Sequence, residues 1–432
     1  MSNVETLDGL QRRLTATIPQ QQIRAEVENR LKRLGRTAKV AGFRPGKAPL
    51  KVLEQQYGSD VQQEVLGESL QSSFAEVAIA NKLEVAGYPQ FEIKTADLNA
   101  PEIEFSATFE VYPEVAIGDI SGEQLERVAF ALSETDVEDT IATMRKQRAV
   151  YQKVTRGAQK DDQVSIDFEG VLDGTPFEGG SAKAYKFILG AGRMLADFEN
   201  AVMGCKAGES KSFQMTFPAD YHGKDVAGKQ VTFNITVHSV EEPKLPEIDA
   251  AFVKSVGVAD GDVEKFKQEI RENVGREAQR RVKVRNKESV MALLLKVAKL
   301  EVPTSLLQGE AQRLMEQSVR DMEARGMKIP KGMKLPMEMF LERAEARVKL
   351  GLILAHLVKQ QNLAAKPEQV EAIIEEYAQS FERPDEVRRW YREPARRQDI
   401  ENLALEDNVV AWVTAGAKVS DKQVTLNELM GN

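Results

Sequence analysis

Cysteine occurs once in this 432-residue sequence, at Cys205. A single thiol cannot close an internal disulfide, which excludes a stapled secreted scaffold and favours the cytoplasm. Histidine is nearly as scarce. His222, His238 and His356 are the three present, too scattered for a zinc site, so no metal is expected. No apolar run approaches the roughly 20 residues that span a bilayer. The opening Met1-Ser-Asn-Val-Glu-Thr lacks the basic-then-apolar order of a signal peptide, so no membrane partner is expected. Gly223-Lys-Asp-Val-Ala-Gly-Lys229 has phosphate-loop spacing, but Gln230 replaces the Ser or Thr that holds magnesium. Its context is strand and turn, so no nucleotide cofactor, and no cofactor of any kind, is expected. What is present is 42% hydrophobic, with 59 Lys and Arg against 67 Asp and Glu, net −8. That suits a soluble protein of two or three domains. DNA is not expected as a partner.

Aromatic residues make up only 6% of the chain, yet nine fall between Asp161 and Glu242: Phe168, Phe177, Tyr185, Phe187, Phe198, Phe213, Phe217, Tyr221 and Phe233. Gln163 to Gly170 alternates apolar and polar residues, which predicts a strand with one buried face. Asp173-Gly174 is a hairpin turn signal. A short helix is expected from Arg193 to Met203, and strands over Ser212 to Phe217 and Gln230 to Val240. The stretch reads as a small antiparallel half-open barrel around one helix. On periodicity alone its rings are the core of that barrel.

Before this stretch, Leu10 to Ile18 alternates as a strand. Pro19 can open a helix to about Val40, with Ile23, Val27, Leu31 and Leu34 as its apolar stripe. A second helix is expected from Pro49 and a third from Val61 to Asn81, followed by strands over Gln90 to Lys94 and Glu102 to Val111. Ser133 and Asp136 are spaced as a near capping box for a helix to about Arg148. From Glu247 the pattern is helical: Val263 to Leu300, Pro303 to Arg325, Pro336 to Asn362, Pro367 to Phe381 and Pro394 to Ala417, then a polar tail. No fixed-period repeat is apparent.

Between Arg24 and Lys51 nine Lys and Arg face only Glu26 and Glu28, a net charge of +7 inside an acidic chain. The loop Gly42-Phe-Arg-Pro-Gly-Lys-Ala-Pro49 lies in this segment. A solvent-facing Phe43 flanked by Arg44 and Lys47 is able to insert a ring while the cations meet phosphates, although a generic basic loop has the same composition.

Asp-Phe-Glu-Gly170, Phe177-Glu178, Phe-Ile-Leu-Gly190, Phe198-Glu199 and Pro218-Ala-Asp-Tyr221 resemble, in the same order, the FKBP family of peptidyl-prolyl isomerases. With the basic loop before them and the helical tail after Pro246, the whole chain resembles the trigger factor family of ribosome-associated chaperones. The resemblance implies a multidomain α+β fold: an α+β ribosome-binding domain over 1–113, a linker and helix over 114–160 packed on the C-terminal domain, an FKBP-like half-barrel over 161–242, and an all-α client-binding domain over 243–432. It implies a non-covalent, metal-independent isomerase whose pocket is walled by Phe168, Phe177, Glu178, Leu195, Phe198, Tyr221 and Phe233. Phe198 stands where many relatives have tryptophan, and Glu178 where many have aspartate. The resemblance also implies docking through Gly42, Phe43, Arg44, Gly46, Lys47 and Pro49 on the large ribosomal subunit, protein and rRNA, near the nascent-chain exit. Pro45 occupies a place that can hold a third cation.

Six of the 13 methionines are Met315, Met322, Met327, Met333, Met337 and Met339. Methionine suits surfaces that repack around many partners, and it also fills cores. The first reading makes Met322, Met327, Met333 and Met337 contacts for nascent and unfolded chains. A homodimer away from the ribosome is carried as a further partner state. The alternatives are a dedicated prolyl isomerase with accessory domains and no ribosome role, and a non-catalytic scaffold.

Overall fold

The computed structural model describes residues 3–38, 43, 47–95, 100–221, 223, 225–327, 335–381 and 383–431, with the side chain of residue 178 excepted. In chain order the elements are β1 (Asn3–Thr6), β2 (Gln11–Pro19), α1 (Gln20–Leu34), α2 (Leu50–Ala80), β3 (Val85–Ile93), β4 (Glu102–Val111), β5 (Ala116–Ile117), β6 (Gln124–Ala129), α3 (Glu134–Gln147), β7 (Val150–Val154), β8 (Gln163–Leu172), β9 (Thr175–Ile188), α4 (Ala196–Val202), β10 (Ser210–Thr216) and β11 (Gln230–Lys244). There follow α5 (Ala250–Ser255), α6 (Val263–Val297), β12 (Ala298–Lys299), α7 (Thr304–Ala324), α8 (Glu338–Gln361), α9 (Pro367–Gln379), α10 (Pro384–Trp390), α11 (Pro394–Gly416), β13 (Lys418–Gln423) and α12 (Leu426–Met430). The chain forms two compact units, Met1–Val128 with Val284–Lys422, and Ala129–Lys283 with Gln423–Asn432.

In the first unit the antiparallel sheet runs β1-β2-β4-β3. Leu14, Ala16 and Ile18 on β2 and Ile103, Phe105, Ala107 and Phe109 on β4 alternate inward and pack on α1 and α2. The two helices expected between Pro49 and Asn81 are one continuous helix, α2. Gly58 weakens it locally, but Leu53, Val61, Val65, Leu70, Phe74 and Ala78 carry one buried side through, and tertiary burial overrides the local glycine penalty. Helix α1 ends at Leu34, short of the expected Val40. Farther on, Leu125 shares a core with Val290, Leu294, Ile353, Leu357, Val409 and Val413. The Asn286 side chain brackets Val128, accepting its N–H at 2.7 Å and donating to its carbonyl at 3.0 Å. Glu110 on β4 caps the start of α7. Its carboxylate accepts the Thr304 N–H at 2.9 Å, the Ser305 N–H at 2.7 Å and the Ser305 hydroxyl at 2.6 Å. Those amides are otherwise the unpaired donors of a helix N-terminus.

In the second unit the sheet runs β10-β11-β8-β9, with β7 also paired to β11. It therefore begins at Val150, earlier than the expected boundary near 161. Asp173 and Gly174 both take positive φ, 51° and 85°, as the two-residue hairpin turn requires. Helix α3 opens with the expected box: the Ser133 hydroxyl accepts the Asp136 N–H at 3.2 Å and Asp136 accepts the Ser133 N–H at 2.9 Å. Val137 and Ile141 of α3 pack with Phe252, Val253, Val258 and Phe266. The expected polar tail contains β13 and α12 instead, and α10 was not anticipated. Among the described residues no helix is long and apolar enough to cross a membrane.

Candidate functional site

The second unit's sheet carries the aromatic cluster. Inward alternation on β8 presents Val164, Ile166 and Phe168, and on β11 it presents Val231, Phe233, Ile235 and Val237. Phe233 is the centre. Its ring lies 5.3 Å from Phe198, 5.9 Å from Phe213, 6.2 Å from Phe177 and from Phe217, and 6.3 Å from Phe168. Phe198 on α4 meets Phe168 at 5.6 Å and Phe213 at 5.4 Å, both edge to face, the arrangement ring quadrupoles favour. Phe198 and Phe233 are buried at 2% and 4% exposure. Phe168, Phe177, Leu195 and Tyr221 are half-buried and pack around them. The result is a ring-lined floor with an open rim.

Backbone geometry lets the rings close. A methyl on Gly170 would stand 2.6 Å from the Phe177 ring and 2.8 Å from that of Phe233, so only glycine leaves both in place. Tyr221 reaches Phe217 at 4.7 Å between centroids. Glu199, buried beside Phe198, accepts the Gly190 N–H at 2.8 Å and the Met194 N–H at 3.4 Å, which ties down the loop leading to Leu195. At the sheet's far end the Arg156 guanidinium grips buried Asp162 with bonds of 2.5 and 3.0 Å and reaches Glu242 at 3.2 Å. The Asp162 bond, foremost, raises the Arg156 pKa despite the opposing desolvation. Burial pushes the Cys205 thiol up, which suits an inert core cysteine.

Six of the seven expected pocket residues, Phe168, Phe177, Leu195, Phe198, Tyr221 and Phe233, thus come together. Glu178 is on β9, and its side chain lies outside the described residues. The sequence reading left Phe213, Phe217, Tyr185 and Glu199 out of the site. Phe213 and Phe217 carried a usable signal, since Phe213, Met215 and Phe217 alternate along β10 and one residue past its end, beside Phe233. Glu199 belonged to the Phe198-Glu199 motif, but its role of holding backbone amides carried no pattern of its own.

In the basic segment Phe43 is 41% exposed, and Lys47 and Pro49 are exposed, Pro49 preceding α2. Gly42, Arg44 and Gly46 lie outside the described residues. Part of the segment's charge is internally neutralised. Arg30 donates to Glu64 at 2.5 Å and Glu68 at 2.6 Å, and Lys32 pairs with Glu28 at 2.6 Å. Among the methionines, Met337 and Met315 pack against the core of Ala311, Leu314, Phe340 and Ala344. Met322 is half-buried, Met327 is 48% exposed and Met339 68% exposed. Met333 lies outside the described residues. The segment is therefore part core and part surface.

Comparison with known proteins covers the whole chain. The family model described as bacterial trigger factor protein (TF) matches residues 1–144, FKBP-type peptidyl-prolyl cis-trans isomerase matches 154–238, and bacterial trigger factor protein (TF) C-terminus matches 262–415. The trigger factor of Nitrosospira multiformis is 49% identical over 432 residues, covering 100% of this chain and 99% of the relative. That of Laribacter hongkongensis is 50% identical over 431 residues, covering 99% of each. That of Dechloromonas aromatica is 50% identical over 423 residues, covering 98% of this chain and 97% of the relative.

Proposed function

The chain belongs to the trigger factor family, a ribosome-associated chaperone with an FKBP-type prolyl isomerase domain, and from that premise we propose how its parts divide the work. The isomerase works at the pocket floored by Phe198 and Phe233. The observation that carries this is the convergence of five rings on Phe233, inside the segment that matches the isomerase family. Rotation about an X–Pro bond meets a barrier of roughly 18–20 kcal/mol because amide resonance opposes twisting. Water stabilises the planar amide and its large dipole. A dry aromatic wall removes that solvation and favours the less polar twisted amide, so the wall binds the transition state better than the ground state. No nucleophile is needed. Phe168, Phe177, Leu195 and Tyr221 form the rim that seats the proline, and Glu178 is assigned to the same site on the family resemblance alone.

Docking on the large ribosomal subunit, beside the nascent-chain exit, falls to Gly42, Phe43, Arg44, Gly46, Lys47 and Pro49 in the domain over 1–113. Clients are nascent and unfolded chains, held by the helical domain over 243–432 with the segment 114–149, ahead of β7, packed on it. The half-buried Met322 and the exposed Met327 contribute there, together with Met333, whereas Met337 packs partly buried against the core. The site of action is the cytoplasm, with a homodimer as the state away from ribosomes. Sedimentation of the free protein at increasing concentration tests that last point.

Turnover of a short X–Pro peptide tests the pocket. Phe198→Ala and Phe233→Ala, shown folded by circular dichroism, should each lose most activity, and full activity would place the site elsewhere. Co-sedimentation with ribosomes tests docking. The triple alanine variant of Phe43, Arg44 and Lys47 should no longer sediment while keeping isomerase turnover, and binding by the unaltered chain should weaken as salt rises.

A further inference from the structure

Asp167 stands on β8 between two residues of the core face, Ile166 and Phe168. On β9 the register slips at this point: Ile166 pairs with Tyr185, whereas Phe168 pairs with Ala182. Lys183 and Ala184 together therefore oppose Asp167, which makes a β-bulge. Ala182 and Tyr185 are three residues apart yet both face the pocket side, which regular alternation forbids. Ala184 absorbs the extra residue by taking φ of 48°, a left-handed conformation that a Cβ disfavours. Something must hold it there. Asp167 Oδ1 accepts the Ala184 N–H at 2.6 Å, and His238 Nε2 on β11 lies 2.8 Å from the same oxygen. The Ala184 hydrogen bond foremost, then that of His238, keeps the Asp167 carboxyl below its usual range, with Lys183 adding a smaller effect. Tyr185, the next residue after Ala184, meets the Phe168 ring edge-on at 5.9 Å.

We propose that Asp167 is a positioning residue of the isomerase pocket, holding Ala184 left-handed so that Tyr185 is set against Phe168, with His238 steadying the acceptor. The inference rests on the pocket reading above. Asp167 touches no substrate. It acts through the strand that carries Tyr185, and Phe168 passes the placement on to Phe198 and Phe233.

The test is kcat/KM of the full chain on a short X–Pro peptide, with circular dichroism as the folding control. Asp167→Ala should lower kcat/KM about tenfold or more, since a misplacement of about 1 Å can cost about a hundredfold. Asp167→Asn keeps an oxygen acceptor for the Ala184 amide and should lose less. The double variant Asp167→Ala with Ala184→Gly should recover most of the loss, because glycine adopts positive φ without a Cβ penalty. A merely structural role for Asp167 would not predict that rescue. A folded Asp167→Ala variant with unaltered kcat/KM overturns the proposal, as does a double variant no better than Asp167→Ala. Should Asp167→Ala not fold, Ala184→Val supplies the test, since a β-branched residue resists positive φ with Asp167 intact, and unaltered turnover then overturns the idea. Phe198→Ala run alongside separates the two readings. Inactive Phe198→Ala with fully active Asp167→Ala sinks only the positioning role, whereas a fully active, folded Phe198→Ala sinks the pocket itself.

Discussion

The chain builds two aromatic clusters from the same kinds of ring and buries them to different extents. On the N-terminal sheet Phe74 lies 5.0 Å from Phe109 and 5.9 Å from Phe91, both edge to face, much as Phe198 lies 5.3 Å from Phe233. Ring contacts alone do not tell them apart. What differs is the helix laid across each sheet. Under the 31-residue α2, Phe74, Phe105 and Phe109 are buried, and Phe91 at the cluster's edge is half-buried. The seven-residue α4 covers only the centre of the second, which leaves Phe168, Phe177, Tyr185, Phe213 and Tyr221 half-buried. The shorter cover leaves more of the second cluster's rings half-buried than the first's.

The strongest way to break this contrast is Phe105→Ala. It should cost the first unit about 3–5 kcal/mol, as removal of a sealed phenylalanine does, and leave peptide turnover unaltered. Urea denaturation and the peptide assay read the two quantities separately, and a matching fall in turnover would show that the clusters are not independent. Next in size is Gly170→Ala. Its methyl must displace the Phe177 and Phe233 rings, so overpacking of roughly 1–3 kcal/mol is expected. Turnover should fall more steeply than stability, and equal losses would mean that Phe177 is core after all. A smaller change, Phe177→Leu, keeps an apolar side chain at the half-buried rim. It should cost about 1 kcal/mol while lowering kcat/KM several-fold, which the same two assays resolve.

The smallest effect concerns the cap on α7. Burial alone would raise the Glu110 carboxyl, but the Ser305 hydroxyl and the Ser305 and Thr304 amides outweigh it, and the group sits below its ordinary 4.5. Its contribution is therefore complete above about pH 4.5 and is lost as pH falls through the lower folded value. Relative to the intrinsic exchange rate at each pH, protection of the Thr304 and Ser305 amides should fall with acid over that range, and Glu110→Gln should lower that protection at neutral pH and remove its dependence on acid.

The strands of the second unit were legible because their apolar residues recur every second position, and ring positions such as Phe168 and Phe233 followed directly. Three kinds of feature were not. Strand β13 is exposed at all six positions, so it carries no hydrophobic period. Helix α2 looked divided because Gly58-Ser59 is a poor helix segment, and only the buried side that continues past it shows otherwise. The tether from Asp167 to Ala184 depends on a register slip between distant strands, and no local pattern encodes that. The methionines show the same limit, since Met337 and Met327 are alike in sequence and differ only in whether α7 and α8 cover them.

The core around Leu125 has a consequence for how the protein is made. The first sheet is finished once β4 has been synthesised, and the isomerase sheet is one contiguous segment. Leu125, however, packs with Val409 and Val413, so its partners leave the translation machinery last. At roughly 5–20 residues per second the wait is on the order of tens of seconds. During that interval the apolar side of the early segment has no partner of its own, and closing so long a loop is intrinsically slow. A chaperone for half-made chains thus passes through a half-made state with the same exposure as its clients.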